Sequence, residues 1–234
     1  MKKLMWAITV LSVIGTGIVI PFLPEQVPMH YDMAGNIDRW GSRYENLIFP
    51  VLTVLMALFM ALMIRYFERR ALREADDKSR AAAQTNASVI GITGASVAAM
   101  FTVLQGFILY GAYVEAAAEA EKQAVDIGKV STILLGILLI VLGNVMTKTR
   151  RNGIVGVRIS WSMYNDTTWR KSNRFGAFAM MLAGALTIAS ALLLKSSLGV
   201  LLSPLGLLIL AVTATAVYAH SVYEQELAAG KEDR

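Results

Sequence analysis

The sequence predicts an all-helical integral membrane protein with six crossings, and three observations carry that expectation. Apolar residues make up 56% of the 234 positions and charged residues 17%, where an ordinary soluble domain carries about a quarter charged. Mean hydropathy is +0.53. The apolar residues fall into six runs of roughly 20 residues or more, the length that crosses a hydrocarbon core, and in lipid a helix satisfies its own backbone hydrogen bonds.

The first run, Leu4 to Leu23, follows Met1-Lys2-Lys3 and lacks a small-residue cleavage site, so it is expected to be a retained span and not a signal peptide. The others are Leu47 to Tyr66, Ala87 to Val114, Ile127 to Met146, Phe175 to Leu194 and Leu198 to Tyr218. Allotting the 22 basic residues to alternate sides leaves 17 on one face and five (Arg39, Arg43, Lys122, Lys129, Lys195) on the other. The positive-inside rule then puts both termini in the cytoplasm.

Pro24 to Asn46 becomes an outside loop, with prolines favouring extended backbone and Gly35-Asn36 as a turn signal. Arg65 to Ser88 is charged and alanine-rich; Glu74/Lys78 and Asp76/Arg80 at i,i+4 predict a solvated helix continuing the second span. Val114 to Asp126 predicts an acidic outside helix. Three parts result: 1–86 with two spans and the outside loop, 87–126 with the third span and acidic helix, and 127–234 with three spans.

Arg150 to Gly176 is the polar stretch of the back half. Val155, Val157, Ile159, Trp161 and Met163 alternate with Gly156, Arg158, Ser160 and Ser162, the period of an extended strand. Asn165 or Asp166 then caps a helix. The segment is expected to form a cytoplasmic amphipathic elbow before the fifth helix. Arg158 lies opposite Val157 and Trp161 on that alternation, either reaching lipid phosphates or anchoring the fold through an internal partner. Trp161, Tyr164, Trp169 and Phe175 fit an aromatic belt, and Arg170, Lys171 and Arg174 fit positive-inside bias or a docking patch.

The run Asn152-Gly153, Gly156-x-Arg158-x-x-Trp161-Ser162, Trp169-Arg170-Lys171-x-Asn173-Arg174-Phe175-Gly176 resembles the signature of the SdpI family of bacterial membrane proteins. Asn173 stands where that pattern carries a histidine, so no proton-transfer or metal role is expected there. Pro28, His30, Gly35 and Asp38 resemble the outward loop of a second module, of unknown function, that precedes the signature in such chains. The resemblance implies an immunity protein against a secreted killing peptide, and in some members a receptor that holds a cytoplasmic transcriptional repressor. It implies peptide or partner contacts at His30, Asp38, Asn152, Gly153, Arg158, Trp161, Trp169, Arg170, Asn173 and Arg174, with membrane lipids as further partners and no direct nucleic-acid contact.

Enzyme motifs are missing: the chain has no H-E-x-x-H, G-x-S-x-G or P-loop. It has no cysteine, which excludes disulfides and thiolate chemistry. His30 with Asp32 and Asp38 is the single histidine–carboxylate cluster, expected to order its turn and not to hold a metal; no cofactor is expected. Within the spans only Gln105 and Asn144 stand out as polar, and the alternative function is a small membrane carrier or export helper with a polar path past them. Gly91/Ala95, Gly136/Ile140/Asn144 and Gly199/Ser203 are expected at helix contacts.

Overall fold

A computed structural model describes residues 1–232, so Arg234, counted above among the basic residues, lies outside the described residues. Among the described residues six helices are long and apolar enough to cross a membrane. They are α1 (Lys2–Val19), α2 (Ile48–Arg73), α3 (Asp77–Ala117), α4 (Ile127–Met146), α5 (Asp166–Leu193) and α6 (Ser197–Glu232). Contacts run α1 and α2 against α3, α3 against α4, and α4, α5 and α6 against one another, so α3 joins the front and back halves. Pro204 lies inside α6, where its ring removes one backbone donor.

The connection after α1 is a two-stranded antiparallel hairpin, β1 (Gln26–Tyr31) and β2 (Ile37–Ser42). The expected turn is present: Gly35 takes φ +81, and Asp32 accepts from the backbone N–H of Ala34 at 2.8 Å and of Asn36 at 2.9 Å. The helical class stands with this sheet added: Pro24 precedes β1, and Pro28 lies within it opposite Trp40. Leu23 and Val27 pack on Leu109 and Ala112, which seats the hairpin on the end of α3.

Three expectations are corrected. The second span continues as a solvated helix only to Arg73, where α2 stops, and Asp76 restarts the chain as N-cap of α3 by accepting from Ser79 N–H at 2.8 Å. A side chain that satisfies an orphan N–H at a new helix start competes with continuing the old one. The ion pairs shift accordingly, to Arg70–Glu74 at 3.1 Å and Arg80–Asp77 at 2.9 Å. The acidic outside helix ends early, at Ala117, with Glu119 at φ 48; Asp126 then caps α4. Propensity lost there to the buried carboxylate of Glu115, which accepts from Ala124 N–H at 2.6 Å and folds the strand of chain back.

Close helix packing follows glycine, with a changed register. A Cβ on Gly136 would lie 2.7 Å from the Gly184 carbonyl oxygen, and one on Gly184 would lie 2.6 Å from the Gly136 oxygen. Gly143 meets the Ala177 carbonyl oxygen at 2.7 Å in the same way, whereas Asn144 faces outward. The row at the α4–α5 contact is therefore Gly136, Ile140 and Gly143, with Ile140 Cγ1 3.0 Å from a Cβ placed on Gly184, and Asn144 is the expected member that lies off it. Gly91 does sit at a contact, against Met1 of α1's start, while a Cβ on Gly199 would meet only ordinary neighbours.

Gly184→Val is expected to push α4 and α5 apart and cost about 1–3 kcal/mol. Gly106→Ala, at a helical site with open space, is expected to be neutral or stabilising by roughly 0.5–1 kcal/mol. Thermal unfolding in detergent checks both, and equal midpoints for the two variants would refute the contact.

Candidate functional site

The residues singled out by sequence divide between the two ends of the bundle. His30 and Asp38 lie on the hairpin; Asn152 to Arg174 lie at the opposite end, beside the start of α3. No group of three or more His, Asp or Glu able to hold a metal occurs among the described residues.

At the hairpin end His30 Nδ1 pairs with Asp38 Oδ1 at 2.6 Å, both side chains exposed. Tyr31 donates its hydroxyl to Glu115 Oε2 at 2.6 Å, and Glu115 is 1% exposed. Burial, with the neighbouring carboxylate second, pushes the Tyr31 phenol far above its ordinary value and keeps it a donor. Beside these groups opens a cavity of about 370 Å³, walled by Met29, Phe49, Ile108 and Leu201 and edged by His30 and Asp126. It draws on the hairpin and on the ends of α3, α4 and α6, elements far apart in sequence. Gln105 is buried below the hairpin, donating to the Asn46 carbonyl oxygen at 3.1 Å. Asn144 is exposed at the opposite end, so the two polar residues do not line one path.

At the signature end, the expected strand from Val155 to Met163 is absent. The chain there is irregular and turns at Ser160 to Tyr164. Gly156 has φ +104, a conformation open to glycine, which breaks the alternation. Ile154 and Val155 then pack with Ile64, Phe67, Ala87 and Ile90, between α2 and α3, while Val157 turns towards Gly176 of α5. Side chains supply the hydrogen bonds that a strand partner would have made. Asn152 Oδ1 accepts from Ile154 N–H at 2.7 Å and Val155 N–H at 2.8 Å, and its amide donates to the Arg150 carbonyl oxygen at 2.6 Å. Ser162, fully buried, donates to the Val157 or Ile159 carbonyl.

Asn173 and Trp169 form the centre of this arrangement. Asn173 Oδ1 accepts from Val157 N–H at 2.9 Å, and its amide donates to the Trp169 carbonyl oxygen at 3.0 Å. Trp169 is 1% exposed and donates its indole N–H to the Thr149 carbonyl oxygen at 3.1 Å. It is an internal anchor and not part of an aromatic belt, a correction that follows from α5 beginning beside the loop it must hold. A Cβ on Gly156 would collide with Asn173 Oδ1 and lie 3.0 Å from the Trp169 ring. Of the two candidate caps, Asn165 starts α5, accepting from Thr168 N–H at 2.8 Å.

Arg158 donates to the Gly153 carbonyl within the loop, with its guanidinium exposed and no carboxylate partner among the described residues. Arg170 and Arg174 are exposed, and Lys171 pairs with Glu226 at 3.4 Å. Trp161 meets His220 edge-on at 4.7 Å, and Phe175 stacks on Tyr218 at 4.3 Å. Sequence reasoning missed Asn86, which clamps Arg150 by accepting its N–H at 3.0 Å and donating to its carbonyl oxygen at 3.3 Å. A lone amide at the start of an apolar run was the available signal. Glu115, a single acid in an alanine-rich run, was the signal for the hairpin contact.

Six apolar helices capped by a hairpin at one end and a hydrogen-bonded polar loop at the other define a multi-pass helical membrane protein. Residues 148–223 match the model of the SdpI/YfhL protein family, and residues 7–54 match the domain of unknown function DUF1648. Over 60 residues the chain is 32% identical to Immunity protein SdpI of Bacillus subtilis (strain 168), an alignment covering 26% of this chain and 29% of that protein. The similarity thus spans less than a third of the curated relative's length. No solved structure matches.

Asn173→Ala is expected to leave the Val157 N–H unpaired and lower stability by about 1–3 kcal/mol, with amide exchange rising at Val157; unchanged exchange there would refute the node. At the hairpin, hydrogen bonds led by the Asn36 side chain hold the Asp32 carboxyl below its ordinary pKa. A depressed folded-state pKa gives stability that is complete above the unfolded value and lost as pH falls through the folded one. Protection of the Asn36 amide against exchange, taken relative to the unfolded chain at the same pH, should therefore be full at neutral pH and fall as pH drops below the ordinary aspartate range, and Asp32→Asn should remove that pH dependence of protection.

Proposed function

We propose that this chain is an immunity-type protein of the bacterial inner membrane that meets a membrane-active peptide at its hairpin end. The hairpin faces outward; the signature end and both termini face the cytoplasm. The cavity beneath the hairpin carries this proposal. Its wall of Met29, Phe49, Ile108 and Leu201 beside the polar edge of His30 and Asp126 suits an apolar peptide segment that also carries polar groups. Further support comes from the 17 basic residues assigned to the signature side and from the name of the relative matched over part of the chain.

At the other end, the exposed cations Arg170 and Arg174 offer a docking face for an acidic cytoplasmic partner, of which a transcriptional repressor is the proposed example. Asn152, Trp169 and Asn173 act by holding the loop, and Arg158, Gly153 and Trp161 lie on its exposed side. The division into 1–86, 87–126 and 127–234 belongs to the same proposal, with the first part receiving the peptide and the last reporting it. Recognition without catalysis is proposed throughout.

Sensitive cells expressing the intact chain should survive the candidate peptide. Filling the cavity with Ile108→Trp should lower the tolerated concentration by about tenfold, as expected for loss of a central contact. His30→Ala and Asp38→Ala should weaken protection less. Full protection by Ile108→Trp would remove the cavity from the proposal. Because the chain lacks cysteine, single replacements report its orientation: Met33→Cys should react with an impermeant maleimide on intact cells, and Arg170→Cys only after permeabilisation. The reverse pattern would overturn the assignment of sides.

A further inference from the structure

A second cavity, of about 290 Å³, opens at the signature end between the loop and the helices α4, α5 and α6. Its walls are apolar or small, with Met146, Val157, Met180, Leu208 and Ala211 prominent, and Arg158 is the one charged residue lining it. Val212, at its rim, is 65% exposed, so the slot opens on the apolar outer face of α6 and not towards the bundle interior. Thr215, the one side-chain hydroxyl among its lining residues, already donates to the Ala211 carbonyl oxygen at 2.6 Å, which leaves little polar demand for water. The position along the membrane normal is marked by neighbouring aromatics. Trp161 with His220 and Phe175 with Tyr218 lie within a turn or so of the slot, the arrangement found where helices leave the hydrocarbon.

We propose that this slot holds one acyl chain of an anionic phospholipid, with the lipid phosphate bound by Arg158. Two features must coincide for such a ligand, and both are present: a laterally open apolar groove, and a cation at the groove's polar end. The guanidinium forms no ion pair with any carboxylate among the described residues, and with Nη1 donating to the Gly153 carbonyl, its Nε and Nη2 edge is left to meet phosphate oxygens in pairs. The occupant would lie against Gly156 to Ile159, the loop residues that line the slot. Lipid binding thereby supports the loop whose backbone Asn173 and Ser162 already hold.

The full-length protein, stripped of lipid in a maltoside detergent, is titrated with phosphatidylglycerol, with phosphatidylcholine of the same chains, and with glycerol 3-phosphate as the free phosphate. Bound lipid is counted by native mass spectrometry and scored by thermal unfolding. Phosphatidylglycerol should bind one per chain about tenfold more tightly than phosphatidylcholine, the size of effect expected of one charge-assisted contact. Arg158→Gln should abolish that preference, and Arg158→Lys should keep part of it. Val212→Trp, at an exposed position that can be changed without disturbing the core, should block the groove and weaken both lipids. Equal binding of the two lipids by the unaltered protein, or a preference surviving in Arg158→Gln, would overturn the proposal. Glycerol 3-phosphate binding as tightly as phosphatidylglycerol would overturn it too, by showing a soluble-anion site without a use for the groove.

Discussion

Every backbone polar group near the apolar band must find a partner inside the chain, and the structure is arranged around the one place where the helices cannot supply it. Between α4 and α5 the backbone is irregular, and its N–H and C=O groups are taken up by side chains. Asn152, Ser162, Thr168 and Asn173 each make two or more such bonds, and the Trp169 indole makes one. These polar side chains are buried because they replace water, not because they form a polar cavity. Their loss would leave the loop without either a strand partner or solvent to satisfy it.

The same requirement accounts for the order of residues along the signature. Gly156 needs its positive φ and lacks a Cβ because Asn173 and Trp169 stand against it, and Gly176 is bare because Val157 and Thr215 approach it. One turn of α5 separates Trp169 from Asn173, so a single helix face both plugs the loop and bonds it. Much of the signature is therefore occupied in making a shape. What that shape presents outward is a short set of cations and aromatics: Arg158, Trp161, Arg170 and Arg174.

The far end solves a related problem with different chemistry. There a hairpin covers the exits of α1, α2 and α3, Glu115 is buried against Tyr31 and the Ala124 amide, and an apolar hollow with a polar edge remains beneath. α3 passes from one end to the other, clamping Arg150 through Asn86 near its start and receiving the hairpin near its finish. The two ends thus share one element, α3, which physically links the hairpin to the loop between α4 and α5.

Six spans, the turn at Gly35 and a cap at Asn165 or Asp166 were legible in the sequence, because hydropathy, glycine and capping chemistry act over a few neighbouring residues. The family resemblance was legible for the same reason, being carried by short spacings around Arg158 and Trp169. Tertiary structure decided the rest. Alternation from Val155 to Met163 suggested a strand, but a strand needs a partner, and the partners present were Asn152, Ser162 and Asn173 side chains, one of them from the following helix. Charge spacing suggested that α2 continued past Arg73, but Asp76 held a new helix start. Neither Glu115 meeting Tyr31 nor Asn86 meeting Arg150 could be read from spacing, since each joins residues more than 60 positions apart, and only packing brings such distant groups to hydrogen-bond range.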